Sequence, residues 1–165
     1  MRKFLGVAAA IAAASCGGTS GNLSTEEARS VASEISAALQ SEAVTVARNQ
    51  LSFGGSFGPV TKACAGGGTL TVQGSLSVNC PSGLRSCATA ASLSVAAAAC
   101  TTDKGVIIDG TLTATVTGTG LSFTKTIVDH LTITPPGGVP TACDVQVNLA
   151  FGQLSGVVCG VPISR

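Results

Sequence analysis

The alternation of apolar and polar residues predicts strands over most of the chain beyond residue 50. Four segments alternate with a period of two residues, which is the repeat of a strand with one buried and one wet face. These segments lie at 70–78, 111–117, 121–133 and 145–151. A fifth, 88–99, is rich in alanine, but its leucine and valine alternate with serines, so we predict a strand there too.

Residues 24–48 instead show the three- and four-residue spacing of an amphipathic helix. Ser24 and Glu27 fit a capping box, and Leu23 and Ala28 fit the hydrophobic staple that accompanies it. We predict a helix from about Thr25 to Arg48, with one apolar face that suits packing on a core better than lying on a membrane. The apolar positions are Ala28, Val31, Ile35, Ala38, Leu39 and Val46.

Together these patterns predict an α+β fold, with one N-terminal helix packed on a curved, mainly antiparallel sheet of five to seven strands. A sheet with one apolar face must bury that face against another layer. The helix is the one long element in the pattern that offers such a layer. Gly118–Gly120 has a suitable length for a hairpin connection, and residues 135–138 form a loop rich in proline and glycine.

The first residues have the composition of an export signal. Arg2 and Lys3 precede the apolar stretch Phe4–Ala14, and glycine, serine and threonine follow at 17–21. A positive start, a short apolar core and small residues at the cleavage site are typical of a secretory signal. The apolar stretch covers about half of a hydrocarbon core, so it is too short for a membrane span.

At the end of that stretch, Ala13-Ala14-Ser15-Cys16 resembles a bacterial lipobox. The resemblance covers about the first twenty residues and identifies the chain as the precursor of a bacterial lipoprotein. It implies acyl chains of the palmitate type on Cys16, which anchor the chain in membrane lipid. Gly17, in place of an aspartate, implies the outer membrane of a host that has one. An alternative stays open, because Ala12-x-Ala14 also fits cleavage after Ala14 without lipidation.

The cysteine count favours lipidation of Cys16. An odd number of thiols in an exported protein requires an explanation, and the chain has seven cysteines. If Cys16 carries lipid, six remain for three disulfides in an oxidising compartment. Cys80 and Cys87 bracket a turn and are the first predicted pair. The connectivity of the others stays open. The six are Cys64, Cys80, Cys87, Cys100, Cys143 and Cys159.

We therefore divide the chain into a signal peptide (1–15), a lipidated tether (16–22) and one disulfide-stabilised domain (23–165). Without Arg2 and Lys3, seven basic residues face eight acidic ones, with no basic run. Tryptophan and tyrosine are absent. Near-neutral charge argues against a nucleic-acid partner, and the lack of large aromatic faces argues against base or sugar stacking.

Gly54–Gly58 matches the G-x-S-x-G pattern of a hydrolase nucleophile, with Ser56 at its centre. Asp109 and His130 follow in the order of a catalytic triad. The pattern requires a strand before it and a helix after it, whereas this segment follows a helix and precedes strands. We therefore predict a flexible loop around Ser56, a solvent-facing His130 and no catalytic or metal-binding residue. No cofactor motif occurs.

These observations favour a non-enzymatic envelope lipoprotein with a binding or structural role. The most specific version of this hypothesis is a domain that holds an apolar ligand in the concavity of the sheet. One alternative is a small hydrolase that uses Ser56 and His130. Another is a protein-interaction or adhesion module with exposed, threonine-rich strand edges. The threonines are β-branched residues on a wet strand face, at Thr111, Thr113, Thr115, Thr117 and Thr119. The sequence names neither ligand nor protein partner.

Lipidation is tested by replacing its acceptor. Cys16→Ser is expected to move the exported protein from the detergent phase to the aqueous phase in a detergent-partitioning experiment, because the acyl chains supply the membrane affinity. Mass spectrometry of the unsubstituted protein reports the same property directly. A mature N-terminus at an unmodified Ser15 would show that the lipoprotein assignment is wrong.

Overall fold

The computed structural model describes residues 23–49, 54–80, 87–119, 122–150 and 153–164. The predicted signal, tether and Cys16 lie outside these residues, as do the side chains of 41–49, Thr119, Ser122 and Phe123. One helix and eight strands follow in order: α1 Thr25–Asn49, β1 Gly55–Ala63, β2 Thr69–Asn79, β3 Ala88–Thr101, β4 Ile107–Thr119, β5 Ser122–Thr134, β6 Thr141–Ala150, β7 Gln153–Val158 and β8 Val161–Ser164.

Helix α1 begins at the predicted capping box and ends one residue beyond the predicted end. The backbone N–H of Ser24 donates to Glu27 Oε2 at 2.7 Å, and the N–H of Glu27 donates to Ser24 Oγ at 3.2 Å. The hydrogen bonds from the Ser24 side chain and backbone favour the ionised carboxylate and lower the pKa of Glu27. Leu23 and Ala28 are both buried in the core. The local pattern therefore determines where this helix begins.

The strands form one open antiparallel sheet in which each strand pairs with its neighbours in the sequence, from β1 to β8. The α+β class and the antiparallel pairing are confirmed. The predicted strand number of five to seven was too low. The last two strands, β7 and β8, contain only six and four residues, too few for alternation to stand out.

The turn between β7 and β8 explains why this hairpin forms from such short strands. Its two residues, Cys159 and Gly160, have φ angles of 51° and 79°. Positive φ at both central residues defines a type I′ turn, whose twist matches that of the flanking strands. The disulfide from Cys143 holds Cys159 in this conformation, which side-chain-bearing residues rarely adopt.

Strand β1 corrects the prediction of a flexible loop around Ser56. Residues Gly55–Ala63 pair with β2 along their length, with a bulge between Phe57 and Val60. The glycines and Pro59 hide this strand from its sequence pattern, because they weaken intrinsic strand preference. Pairing with β2 supplies the order that local preference lacks.

The sheet curves around α1, as contacts at both of its edges require. The helix approaches β1 and β2 on one side and β7 and β8 on the other. In a flat sheet the outer strands would lie about 34 Å apart, three times the diameter of a helix. We call the surface that packs on α1 the concave face. The core between α1 and this face contains Val31, Ile35, Leu39, Leu70, Leu93, Ile108, Leu112, Ile133 and Val145, all at most 2 % exposed.

Two polar contacts fix the position of the helix. The Ser30 hydroxyl donates a hydrogen bond to the Asp103 carboxylate in the turn between β3 and β4. Glu34 forms an ion pair with Lys62 of β1 at 3.6 Å. Both contacts lie in the N-terminal half of α1, so this half is attached to the sheet by charge and hydrogen bonding as well as by apolar packing.

All six domain cysteines form disulfides, in agreement with the sequence prediction. Cys80 pairs with Cys87 as expected, and the connectivity left open is Cys64 with Cys100 and Cys143 with Cys159. Cys64 and Cys100 join the end of β1 to β3 within the core, at 7 % and 0 % exposure. These bridges reinforce a core of small aliphatic side chains, which buries little area per residue.

Each of the three bridges is expected to stabilise the domain more strongly the longer the segment of chain that it encloses. Sequence separations of 36, 16 and 7 residues correspond to about 3.8, 3.1 and 2.4 kcal/mol of loop entropy in the unfolded state. Cys64→Ala/Cys100→Ala is therefore expected to lower the free energy of unfolding in urea more than the matched pair Cys80→Ala/Cys87→Ala. Equal melting temperatures with and without dithiothreitol would contradict a structural role for the bridges.

Candidate functional site

The candidate triad is not assembled. Ser56 lies on β1 and His130 on β5, both exposed on the outer face of the sheet. Four strand spacings separate them, or about 19 Å along the sheet. Asp109 lies on β4, where its Oδ1 accepts the backbone N–H of Ala99 at 2.7 Å. The order of these residues in the sequence therefore does not correspond to a shared site.

Two aspartates replace missing ladder hydrogen bonds instead. Asp109 binds the N–H of Ala99, a residue with φ of 47° at a bulge in β3. The carboxylate of Asp129 accepts the N–H groups of Thr113 and His130, each at 2.9 Å. Carboxylates used in this way are structural, because their oxygens are occupied by the backbone. The bulge at Ala99 and the interrupted pairing of β4 with β5 beside Asp129 have no signature in the alternation pattern.

His130 is exposed, as the alternation predicts, and its partner is Asp144 rather than the neighbouring Asp129. Nδ1 of His130 contacts Oδ1 of Asp144 across the pairing of β5 with β6. The two side chains are 79 % and 75 % exposed. Such an exposed pair contributes little to stability, and no nucleophile accompanies it in the described residues. The sequence gives no signal for Asp144, since its position opposite His130 depends on strand register.

A cluster of possible metal ligands is already committed to other bonds. The carboxylate of Glu34 and the sulfurs of Cys64 and Cys100 lie within 4.8 Å of one another. The sulfurs form a disulfide and offer no thiolate to a metal. Glu34 pairs with Lys62. In this oxidation state the cluster attaches α1 to the sheet.

The outer face presents an ordered but shallow polar surface. The predicted threonines Thr111, Thr113, Thr115 and Thr117 are exposed there, and Thr119 lies outside the described side chains. Two hollows of about 500 and 530 Å³ open on this face near Ser75 and Ser92. One row of small polar residues crosses all eight strands: Ser56, Ser75, Ser92, Thr115, Thr126, Asn148, Ser155 and Ser164.

The concave face is covered unevenly from one end to the other. Its interior positions are at most 2 % exposed at residues such as Val95, Leu112 and Ile133. At the end where β2, β4 and β6 finish, cover is less complete. Near this end, a row of residues that are paired from strand to strand is the last on this face to cross all six strands from β2 to β7. We call it the distal row. It consists of Leu76, Ala91, Val116, Lys125, Leu149 and Leu154.

Exposure rises in the distal row. Val116 and Leu154 are 6 % and 9 % exposed, and the other four members are only partly buried. The row is apolar except for Lys125. The distal row is thus a part of the concave face where apolar side chains are partly exposed.

Lys125 stands between Val116 of β4 and Leu149 of β6 in the strand register. Burial among these neighbours removes water from its ammonium group and lowers the pKa of Lys125 from its ordinary value. In the described part of the chain, no carboxylate lies within ion-pair distance of it. The sequence did contain a signal for this residue. Lys125 shares the parity of Ile127 and Leu131, so it interrupts an apolar face.

No protein family, curated protein or solved structure matches this chain. The helical residues that the structure describes include no stretch long and apolar enough to cross a membrane.

Substitutions of the three triad candidates are expected to affect the free energy of unfolding differently, because Ser56 and His130 are exposed whereas Asp109 has a structural role. Ser56→Ala and His130→Ala should each change the free energy of unfolding by less than about 0.5 kcal/mol. Asp109→Ala should cost about 1–2 kcal/mol, because it removes the charged acceptor of the Ala99 N–H. Urea unfolding measures all three. The unsubstituted protein can also be assayed for hydrolysis of p-nitrophenyl acetate. Such an activity, if Ser56→Ala or His130→Ala abolished it, would establish the hydrolase alternative.

Proposed function

We propose that this chain is an exported bacterial envelope lipoprotein, anchored through Cys16, whose domain holds an apolar ligand without transforming it. The observation that carries the ligand-holding role is the uneven cover of the concave face. Interior positions are closed by α1, whereas four members of the distal row are partly buried. A ligand would lie against this row, between the sheet and the helix.

The disulfides support the location of the protein outside the cytoplasm. Three bridges join six cysteines, two of the three with both sulfur-bearing residues buried. Disulfides persist in oxidising compartments and are rare in the cytosol. This agrees with the export signal that the sequence predicts at the N-terminus. Gly17 favours the outer membrane as the destination within the envelope.

The geometry gives less support to the alternatives. The threonine-rich strand β4 lies between β3 and β5, so its hydrogen-bonding edges are occupied. The outermost strands β1 and β8 each contain a proline, Pro59 and Pro162, which disfavours the addition of another strand. The hydrolase alternative lacks contact between Ser56 and His130. A ligand-holding domain requires neither a free edge nor a catalytic group.

The ligand-holding role is tested with a neutral apolar fluorophore and a pair of adjacent substitutions. The protein is exported as Cys16→Ser, so that neither detergent nor its own acyl chains compete. N-phenyl-1-naphthylamine is expected to bind with enhanced fluorescence. Ala91→Phe should weaken this binding at least fivefold, because Ala91 faces Leu76 and Val116 on the concave face.

The matched control is Ala90→Phe on the outer face of the same strand, where the neighbours are Ser77 and Thr117. This variant carries the same added ring and should bind the fluorophore like the unsubstituted protein. The proposal fails if the unsubstituted protein does not bind the fluorophore. It also fails if the two variants bind equally well.

A further inference from the structure

We infer that the apolar ligand is a long-chain fatty acid, with its hydrocarbon chain along the distal row and its carboxylate on Lys125. This inference rests on the proposed ligand-holding function and names the chemical class of the ligand. Lys125 is the one cation in a row that is otherwise apolar over the six strands β2 to β7.

The surroundings of Lys125 make an uncompensated ammonium group costly. Its cross-strand neighbours on the concave face are Val116 and Leu149, and side chains at such positions lie about 5 Å apart. Neither of these side chains can donate or accept a hydrogen bond. Burial of a charge without a partner is unfavourable, so an anion at this position would be stabilised both by the charge and by the exclusion of water.

Among the residues that the structure describes, the other charges of the concave side do not supply that anion. Lys62 and Glu34 neutralise each other near the turn between β3 and β4. Asp129, on the same strand as Lys125, uses its carboxylate for the backbone N–H groups of Thr113 and His130. The desolvation that lowers the pKa of Lys125 has the same origin in the apolar neighbours. An external anion would therefore complete this side of the domain.

The number of donors favours a carboxylate over a phosphate headgroup. One ammonium group matches one negative charge and a small set of acceptor oxygens. A phosphate ester presents more acceptors and is typically bound by several donors, often from arginine. The concave side offers no such group of donors among the described residues around Lys125. The apolar members of the distal row suit a single hydrocarbon chain attached to the carboxylate.

The test compares an acid with its uncharged analogue. Dodecanoate, 1-dodecanol and lysophosphatidylglycerol each compete with N-phenyl-1-naphthylamine on the exported Cys16→Ser protein. Dodecanoate is expected to compete at a concentration at least tenfold lower than 1-dodecanol. Lys125→Met should abolish this difference while leaving the competition by 1-dodecanol unchanged, because only the charge is removed.

The matched control is Lys104→Met, which removes the same charge from the exposed turn between β3 and β4 and should preserve the tenfold preference. Equal competition by dodecanoate and 1-dodecanol would overturn the headgroup assignment but leave the ligand-holding function intact. A preference that survives Lys125→Met would do the same. Lys125-dependent competition by lysophosphatidylglycerol without competition by dodecanoate would overturn the choice of a fatty acid. No binding of fluorophore or competitor would instead reject the proposed function itself.

Discussion

The cover that α1 gives to the apolar side of an open sheet is the constraint on which the rest of this domain depends. Each of the strands β2 to β6 carries several apolar side chains on one face, and burial of each Val, Leu or Ile contributes about 1.5–3 kcal/mol. One helix is too narrow to cover eight strands laid flat. The sheet therefore bends until both of its edges approach α1. The polar contacts of Ser30 and Glu34 then fix the helix at one end of the concavity.

The disulfides follow from the same constraint. A helix that must fit inside a curved sheet presents small residues, and Ala28, Ala32 and Ala38 are fully buried. Small side chains allow close approach but bury little area, so apolar burial alone leaves a narrow margin of stability. The Cys64–Cys100 bridge lies within the core beside Glu34, where it joins the strands beneath the helix. It thus stabilises the region in which the ion pair between Glu34 and Lys62 attaches the helix to the sheet.

The sequence pattern predicted which face of each long strand is buried, because that depends on residues two positions apart in the same strand. Thr113 and Thr115 are wet, and Val145 and Val147 are buried, as expected. Strand β1 was missed because its glycines and proline give no alternation. The roles of Asp109, Asp129 and Asp144 could not be predicted from the sequence, for a different reason. Each depends on a residue of the neighbouring strand, and register between strands is a tertiary property.

The uneven cover of the concave face has a cause in strand length. The distal row is reached by β1 at Gly55, where that strand begins, whereas β2, β3, β4 and β5 each continue three residues further. The central strands thus project about 10 Å past their outer neighbour. Apolar positions there, such as Val78, have no β1 residue paired beside them. Lys125 lies in this row, where apolar neighbours partly desolvate its ammonium group and lower its pKa. An amphiphile bound here would place its charged end on Lys125 and its hydrocarbon chain along the apolar members of the distal row, so the position of Lys125 favours one orientation of the ligand.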